Sequence, residues 1–102
     1  MEEASRIQMV MVVYDEGMEE DVQEVLEHLE AIGYTKLLGA QGRGRSGPRL
    51  GDPIWPGLNN ILCVALPASE VPDFLQRIRQ LRSRFRRPPA LKFFVWDVVE
   101  ED

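Results

Sequence analysis

Between Gly42 and Leu58 the chain reads GRGRSGPRLGDPIWPGL, which holds three arginines, three prolines and four further glycines after Gly42. Its first part, Gly42-Arg43-Gly44-Arg45-Ser46-Gly47, sets two guanidinium groups among small residues. Those residue types suit an anion: successive backbone N–H groups can curl into a concave nest, and Arg43 and Arg45 bring forked, charged donors. Glycines also simply permit turns, so a turn-only reading of the run stays open. Further on, Trp55 stands between Ile54 and Pro56 as an apolar knot in a polar loop. It either stacks on a ligand's ring or packs against the sheet or a neighbouring subunit, and packing is the simpler role for so large a side chain. Arg49 is placed with Trp55, Asn59 and Asn60 as a loop contact to a partner. Asn59 and Asn60 read as turn and strand-opening residues whose amides are also open to a ligand.

Catalysis finds little to work with. His28 is the single histidine and lies in an acidic stretch, with no cysteine or serine partner at a motif spacing. No group of His and Cys has the spacing of a zinc or copper site. The single cysteine, Cys63, lies inside an apolar run and reads as a buried, inert thiol. The expectation is a protein that is not an enzyme and needs no cofactor or metal.

A loop this long without periodicity is usually a binding loop or disordered, and regular elements must hold its ends. Arg6–Tyr14 (RIQMVMVVY) reads as a strand closed by Asp15-Glu16-Gly17. Met18, Val22, Val25, Leu26, Leu29 and Ile32 recur at helical spacing, so the pattern predicts a helix over Met18–Ile32 with acids in its first turn. Gly33 is placed as its left-handed C-cap. Thr35–Gln41 is a second strand leading into the loop, and Asn59–Leu66 (NNILCVAL) a third. Ser69 is placed as the N-cap of a second helix with Pro72 in its first turn and Val71, Phe74, Leu75, Ile78, Leu81 and Phe85 as its stripe. Pro88-Pro89 end that helix, and Leu91–Val99 (LKFFVWDVV) is the fourth strand.

The order βαββαβ is the split βαβ arrangement of ferredoxin-like folds, an α+β class. Right-handed crossovers put both helices on one face of a four-stranded antiparallel sheet. Yet Ile7, Met9, Met11 and Val13 oppose Val10, Val12 and Tyr14, and Leu91, Phe93 and Val95 oppose Phe94, Trp96 and Val98. Asn59–Leu66 is likewise apolar on both sides. Two helices cover one face, and the other would exceed the apolar patch that soluble monomers tolerate. Subunits are therefore expected to pack sheet on sheet.

At 102 residues and 44% hydrophobic the chain suits one domain spanning residues 1–102. The net charge of −5 argues against a general affinity for nucleic acid. Arg77, Arg79, Arg82, Arg84, Arg86 and Arg87 crowd the second helix and the turn after it, where Glu20, Glu24, Glu27 and Glu30 of the first helix are the expected ion-pair partners. Met1-Glu2-Glu3 opens no signal peptide, and no apolar run is long enough to span a bilayer, so the expected place is the cytoplasm, without membrane insertion.

Leu38-Gly39-Ala40-Gln41-Gly42-Arg43-Gly44-Arg45-Ser46-Gly47 resembles the end of the second strand and the loop opening of the nitrogen-regulatory PII proteins, and Lys92–Glu100 resembles their last strand. Gly47–Asp52, Ile54–Gly57 and Asn59-Asn60 look like a small branch of PII-like proteins. The resemblance implies a cytoplasmic homotrimer that binds a small anionic effector, nucleotides included, in clefts between subunits and signals to a protein target through the loop at 43–58. Lys92 would then be a cationic contact on the cleft wall, since it alone matches the family's glycine-aspartate-glycine-lysine turn in Pro88-Pro89-Ala90-Leu91-Lys92. No tyrosine lies between Gly42 and Leu58, so nucleotidylation of a loop tyrosine is excluded. Two rivals remain: a structural or protein-docking trimer with no effector, and a metal-tolerance trimer like the similarly folded CutA proteins.

Overall fold

The computed structural model describes residues 6–29, 33–44, 47–51 and 57–102. In chain order these form β1 (Ile7–Asp15), α1 (Glu19–Glu27), β2 (Gly33–Ala40), β3 (Gly42–Gly44), β4 (Gly47–Arg49), β5 (Asn59–Pro67), α2 (Val71–Gln80) and β6 (Leu91–Val98). The main sheet runs β2-β5-β1-β6 with every neighbouring pair antiparallel, which is the predicted ferredoxin-like order. β3 and β4 pair separately as a small hairpin that the loop sequence does not announce.

Both helices lie on one face, where the period-2 pattern of the strands meets the helical stripes. Val10, Val12 and Tyr14 of β1 and Leu62, Val64 and Leu66 of β5 pack with Met18, Val22 and Leu26 and with Val71, Phe74, Ile78 and Leu81. Each such side chain contributes about 1.5–3 kcal/mol when fully buried. The opposite face is apolar and open. Register sets Met9 between Ala65 and Trp96, and Met11 between Cys63 and Phe94, with no helix over them. Leu37 is 60% exposed, Phe94 52% and Trp96 43%. Cys63 lies half-buried on this face, because its strand position points it away from the helices.

Several boundaries differ from expectation, each for a local reason. Met18 belongs to a 3-10 turn, Glu16–Met18, capped by the Asp15 carboxylate, which accepts the Gly17 N–H at 2.7 Å. Helix α1 ends at Glu27, and Glu30–Ile32 lie outside the described residues. Gly33 opens β2 rather than capping α1, and positive φ belongs instead to Gly39, Gly47 and Gly51. Ser69 caps nothing: a 3-10 turn over Ala68–Glu70 leads from β5 into α2, which begins at Val71 without a side-chain cap. At its other end α2 tightens into a 3-10 turn, Leu81–Arg84, so Phe85 is extended rather than helical.

One irregularity matters for the loop. The β2–β5 register shifts between Leu37 and Ala40, so Leu38 and Gly39 face Asn60 alone. Such a bulge needs a residue tolerant of positive φ, and Gly39 has φ +71°. Its N–H is satisfied by Asn60 Oδ1 at 2.9 Å.

Candidate functional site

The loop leaves β2 through the β3–β4 hairpin, whose register pairs Gly42 with Arg49, Arg43 with Pro48 and Gly44 with Gly47. Arg49 then turns inward. Its guanidinium ion-pairs with Asp15 at the end of β1, and the same nitrogen donates to the Leu58 carbonyl at 3.1 Å. That carbonyl also accepts the Glu16 N–H at 3.1 Å, so Arg49 within the loop and Leu58 at its far end are tied to one point. Glycines make room for the tie. A Cβ on Gly57 would lie 2.7 Å from Arg49 Nη2, and one on Gly51, at φ +72°, would lie 2.9 Å from the Leu58 side chain.

Beside this knot is an open cleft of about 750 Å³, bounded by the hairpin, the ends of β1 and β5, the start of β6 and one flank of α2. Arg43, Arg49, Arg79 and Lys92 bring positive charge to it, and among the described residues no carboxylate lines it. Val13, Leu91, Phe93 and Phe94 give it an apolar wall. Arg43, Arg79 and Lys92 form no ion pair among the described residues, so their charges are available to an anion. Two buried atoms at the cleft, Arg49 Nε and Asn59 Oδ1, have no hydrogen-bond partner among the described residues. A buried polar atom without a partner is costly, and a ligand can supply the missing bonds.

Of the sequence-predicted site residues, Arg43, Gly44, Lys92, Arg49 and Asn59 line this cleft. Gly42 lies behind it, where a Cβ would lie 3.7 Å from Asn59 Nδ2, and Gly47 holds φ +113° opposite Gly44. Arg45, Ser46 and Trp55 lie outside the described residues. Asn60 is elsewhere: it is 4% exposed, beneath the sheet, with both amide atoms engaged.

Asn60 belongs to a polar group that joins α1 to the sheet. Glu19 Oε1 accepts from Tyr14 at 2.6 Å and from Asn60 Nδ2 at 3.0 Å, while Glu19 Oε2 accepts from Lys36 at 2.6 Å. Lys36 also bonds Gln23, and its Nζ lies 5.8 Å from the Tyr34 ring. Burial opposes the Glu19 charge, but the bonds from Lys36, Tyr14 and Asn60, with the Lys36 charge, outweigh it and lower the pKa. Burial, the bond to Glu19 and its negative charge push the Tyr14 phenol up.

Arg79 escapes the sequence reading because that reading directs all six arginines at α1. Among the described residues only Arg84 forms ion pairs with that helix, at 2.9 Å from Asp21 and 3.7 Å from Glu24. Arg77 pairs within its own helix, with Asp73 at 2.9 Å. Glu20 and Glu27 take no arginine among the described residues, and Glu30 lies outside them. The spacing holds a usable signal: residues 77 and 84 share one flank of a helix, residues 79 and 82 another.

Among the described residues no group of three or more His, Cys, Asp or Glu side chains is placed to hold a metal ion. No described helix is long and apolar enough to cross a membrane.

No family model and no curated protein matches the sequence. Solved structures do. A nitrogen-regulatory PII-like protein from Thiomonas intermedia K12, solved with ADP, AMP and bicarbonate, superposes with a TM-score of 0.73 at 17% identity, over 91% of this chain and 86% of that one. A putative PII-like signalling protein from Thermus thermophilus gives 0.65 at 22% identity, over 91% and 87%. The chain has the PII-like fold. A DUF3240-family protein from Shewanella baltica OS155 matches this chain at 0.73 and 14% identity, over 96% of each. At these identities the likeness is one of fold. In the PII-like frame, the cleft lies where the long loop leaves the sheet and the last strand begins.

Proposed function

We propose that this chain is a PII-like regulatory protein, without catalytic activity, that binds a small anionic effector in the cleft and signals through the loop at 43–58. The single observation that carries the reading is the convergence of Arg43, Arg79 and Lys92 on a cleft that no carboxylate lines among the described residues. Like charges are not brought together without compensation, and an anion is what compensates them. The structural relatives support the effector's class, since the Thiomonas protein was solved with ADP, AMP and bicarbonate. An adenine ring suits the apolar wall of Val13, Phe93 and Phe94, and phosphate or bicarbonate suits the cations.

Assembly belongs to the same proposal. The open apolar face, with Leu37, Phe94 and Trp96, is to be covered by copies of the chain in a homotrimer. Phe94 also lines the cleft, so the seam between copies and the effector site share a wall. An effector on Arg43 draws on the hairpin that begins the loop, while the Arg49–Asp15 knot keeps the base still. The remainder of the loop, with Arg45, Ser46 and Trp55, is then fixed for a protein target. The protein acts in the cytoplasm as a single domain.

Titration calorimetry with ADP, AMP and bicarbonate tests the effector. A charge-assisted hydrogen bond is worth about 1.5–3 kcal/mol, so Arg43→Ala or Lys92→Ala is expected to weaken the ligand that binds by ~10–100-fold. Binding that is unchanged in both variants would remove the site assignment.

A further inference from the structure

We infer that Arg79 is a third cationic contact of the cleft, reaching it from α2 and setting its preference for ligands with more than one negative charge. The inference rests on the effector reading above. Helix α2 and the 3-10 turn that continues it carry arginines on two flanks. Those facing α1 are spent: Arg84 on Asp21, and Arg77 on Asp73 of its own helix, each at 2.9 Å. On the other flank Arg82 donates to the Leu91 carbonyl at 3.3 Å, which holds that side of the helix against the start of β6. Arg79 lies one turn earlier, with its guanidinium 5.2 Å from the centre of the Phe93 ring.

Phe93 is packed against the core and also lines the cleft. It therefore fixes where the guanidinium sits, through a cation–π contact that uses the ring's face and none of the five N–H donors. Arg79 makes no ion pair among the described residues, so those donors remain for a ligand.

The charge count then limits the ligand. Arg49 is neutralised by Asp15, which leaves Arg43 from the hairpin, Lys92 from β6 and Arg79 from α2. The acids of the C-terminal end give no relief. Glu100, Glu101 and Asp102 follow the far end of β6, where Val98 pairs with Ile7, whereas the cleft is at the end where Leu91 pairs with Tyr14. A monoanion such as bicarbonate answers one of the three cations. The phosphate of AMP, with a charge of about −2 at neutral pH, answers two, and the diphosphate of ADP, with about one charge more, answers all three. Arg79 is thus a determinant of ligand charge, separate from the loop residues.

The test is calorimetric titration of ADP and of AMP into the wild type, Arg79→Ala, Arg43→Ala and Arg77→Ala. Arg79→Ala is expected to weaken ADP about tenfold or more and AMP less, so that the ratio of the two affinities falls. Arg77→Ala, on the opposite flank, is expected to stay within twofold of wild type for both. Arg79→Gln keeps the aliphatic stem over Phe93 and removes the charge, and it carries the same test should the alanine variant lose its fold. If Arg43→Ala weakens binding while both Arg79 variants keep the wild-type ratio, this inference fails and the effector site stands. If the wild type binds neither nucleotide at millimolar concentration, this inference fails, and if it binds no bicarbonate either, the effector reading fails with it.

Discussion

Replacing Glu19 by glutamine changes one atom at the junction of α1 and the sheet, and its consequence can be worked out bond by bond. Oε1 accepts from Tyr14 and Asn60, and a glutamine carbonyl can keep both bonds. Oε2 faces Lys36 at 2.6 Å, and in the variant an NH2 group would point its protons at an ammonium. Lys36 would keep only Gln23 and the Tyr34 ring, on a side chain just 14% exposed. Breaking one partner of a fully buried ion pair costs about 3–5 kcal/mol. With Glu19 at 29% exposure, part of that is screened, which leaves about 2 kcal/mol. For a chain of this size the melting temperature should fall by roughly 10 °C at equal protein concentration. The acid limb gives a second signature. The Glu19 pKa is depressed, so its contribution is present above the ordinary value of 4.5 and is lost as pH falls through the folded value below it. Wild type should therefore lose more stability than Glu19→Gln between pH 6 and 3. Urea titrations across that range decide the matter. A variant within about 0.5 kcal/mol of wild type at pH 7, or one with an unchanged acid limb, would refute the assigned network.

Two further outcomes follow from the packing. Gly57→Ala would place a methyl group 2.7 Å from Arg49 Nη2, and the displaced guanidinium would lose the Asp15 pair and the Leu58 bond. Unfolding should show a cost of about 2–3 kcal/mol, and a neutral result would mean that the knot is not formed. Trp96→Glu sets a charge on the open apolar face. Light scattering should then find single subunits where the wild type is expected to form the proposed trimer, because an unpaired charge is not buried without a cost of several kcal/mol.

Much of the fold is legible because strands and helices repeat at different periods. The alternation of Ile7–Tyr14 and of Asn59–Leu66 marks both sheet faces, and the open face of Met9, Met11, Phe94 and Trp96 follows from it. Element ends are less legible. The 3-10 turns at Ala68–Glu70 and Leu81–Arg84 have no side-chain cap, so they leave little trace in residue choice. The site divides in the same way. Arg43, Gly44 and Lys92 are legible from their types, but Arg49 reads as an outward contact because its partner, Asp15, is 34 residues away. Asn60 reads as a strand-opening residue whose amide is open to a ligand, whereas the alternation it shares with Leu62, Val64 and Leu66 turns it under the sheet, where it satisfies the Gly39 bulge. Arg79 is hidden among six arginines until the two flanks of α2 are separated by what each faces.

Where an anion binds is measured most directly by amide chemical-shift mapping of the labelled protein during titration with ADP. The shifts should concentrate at Arg43, Gly44, Asn59, Arg79 and Lys92–Phe94, and should saturate at one nucleotide per chain. Shifts confined to the groove between the helices, at Asp21, His28 and Arg84, or no shifts at millimolar ADP, AMP and bicarbonate, would contradict an effector site at the base of the loop.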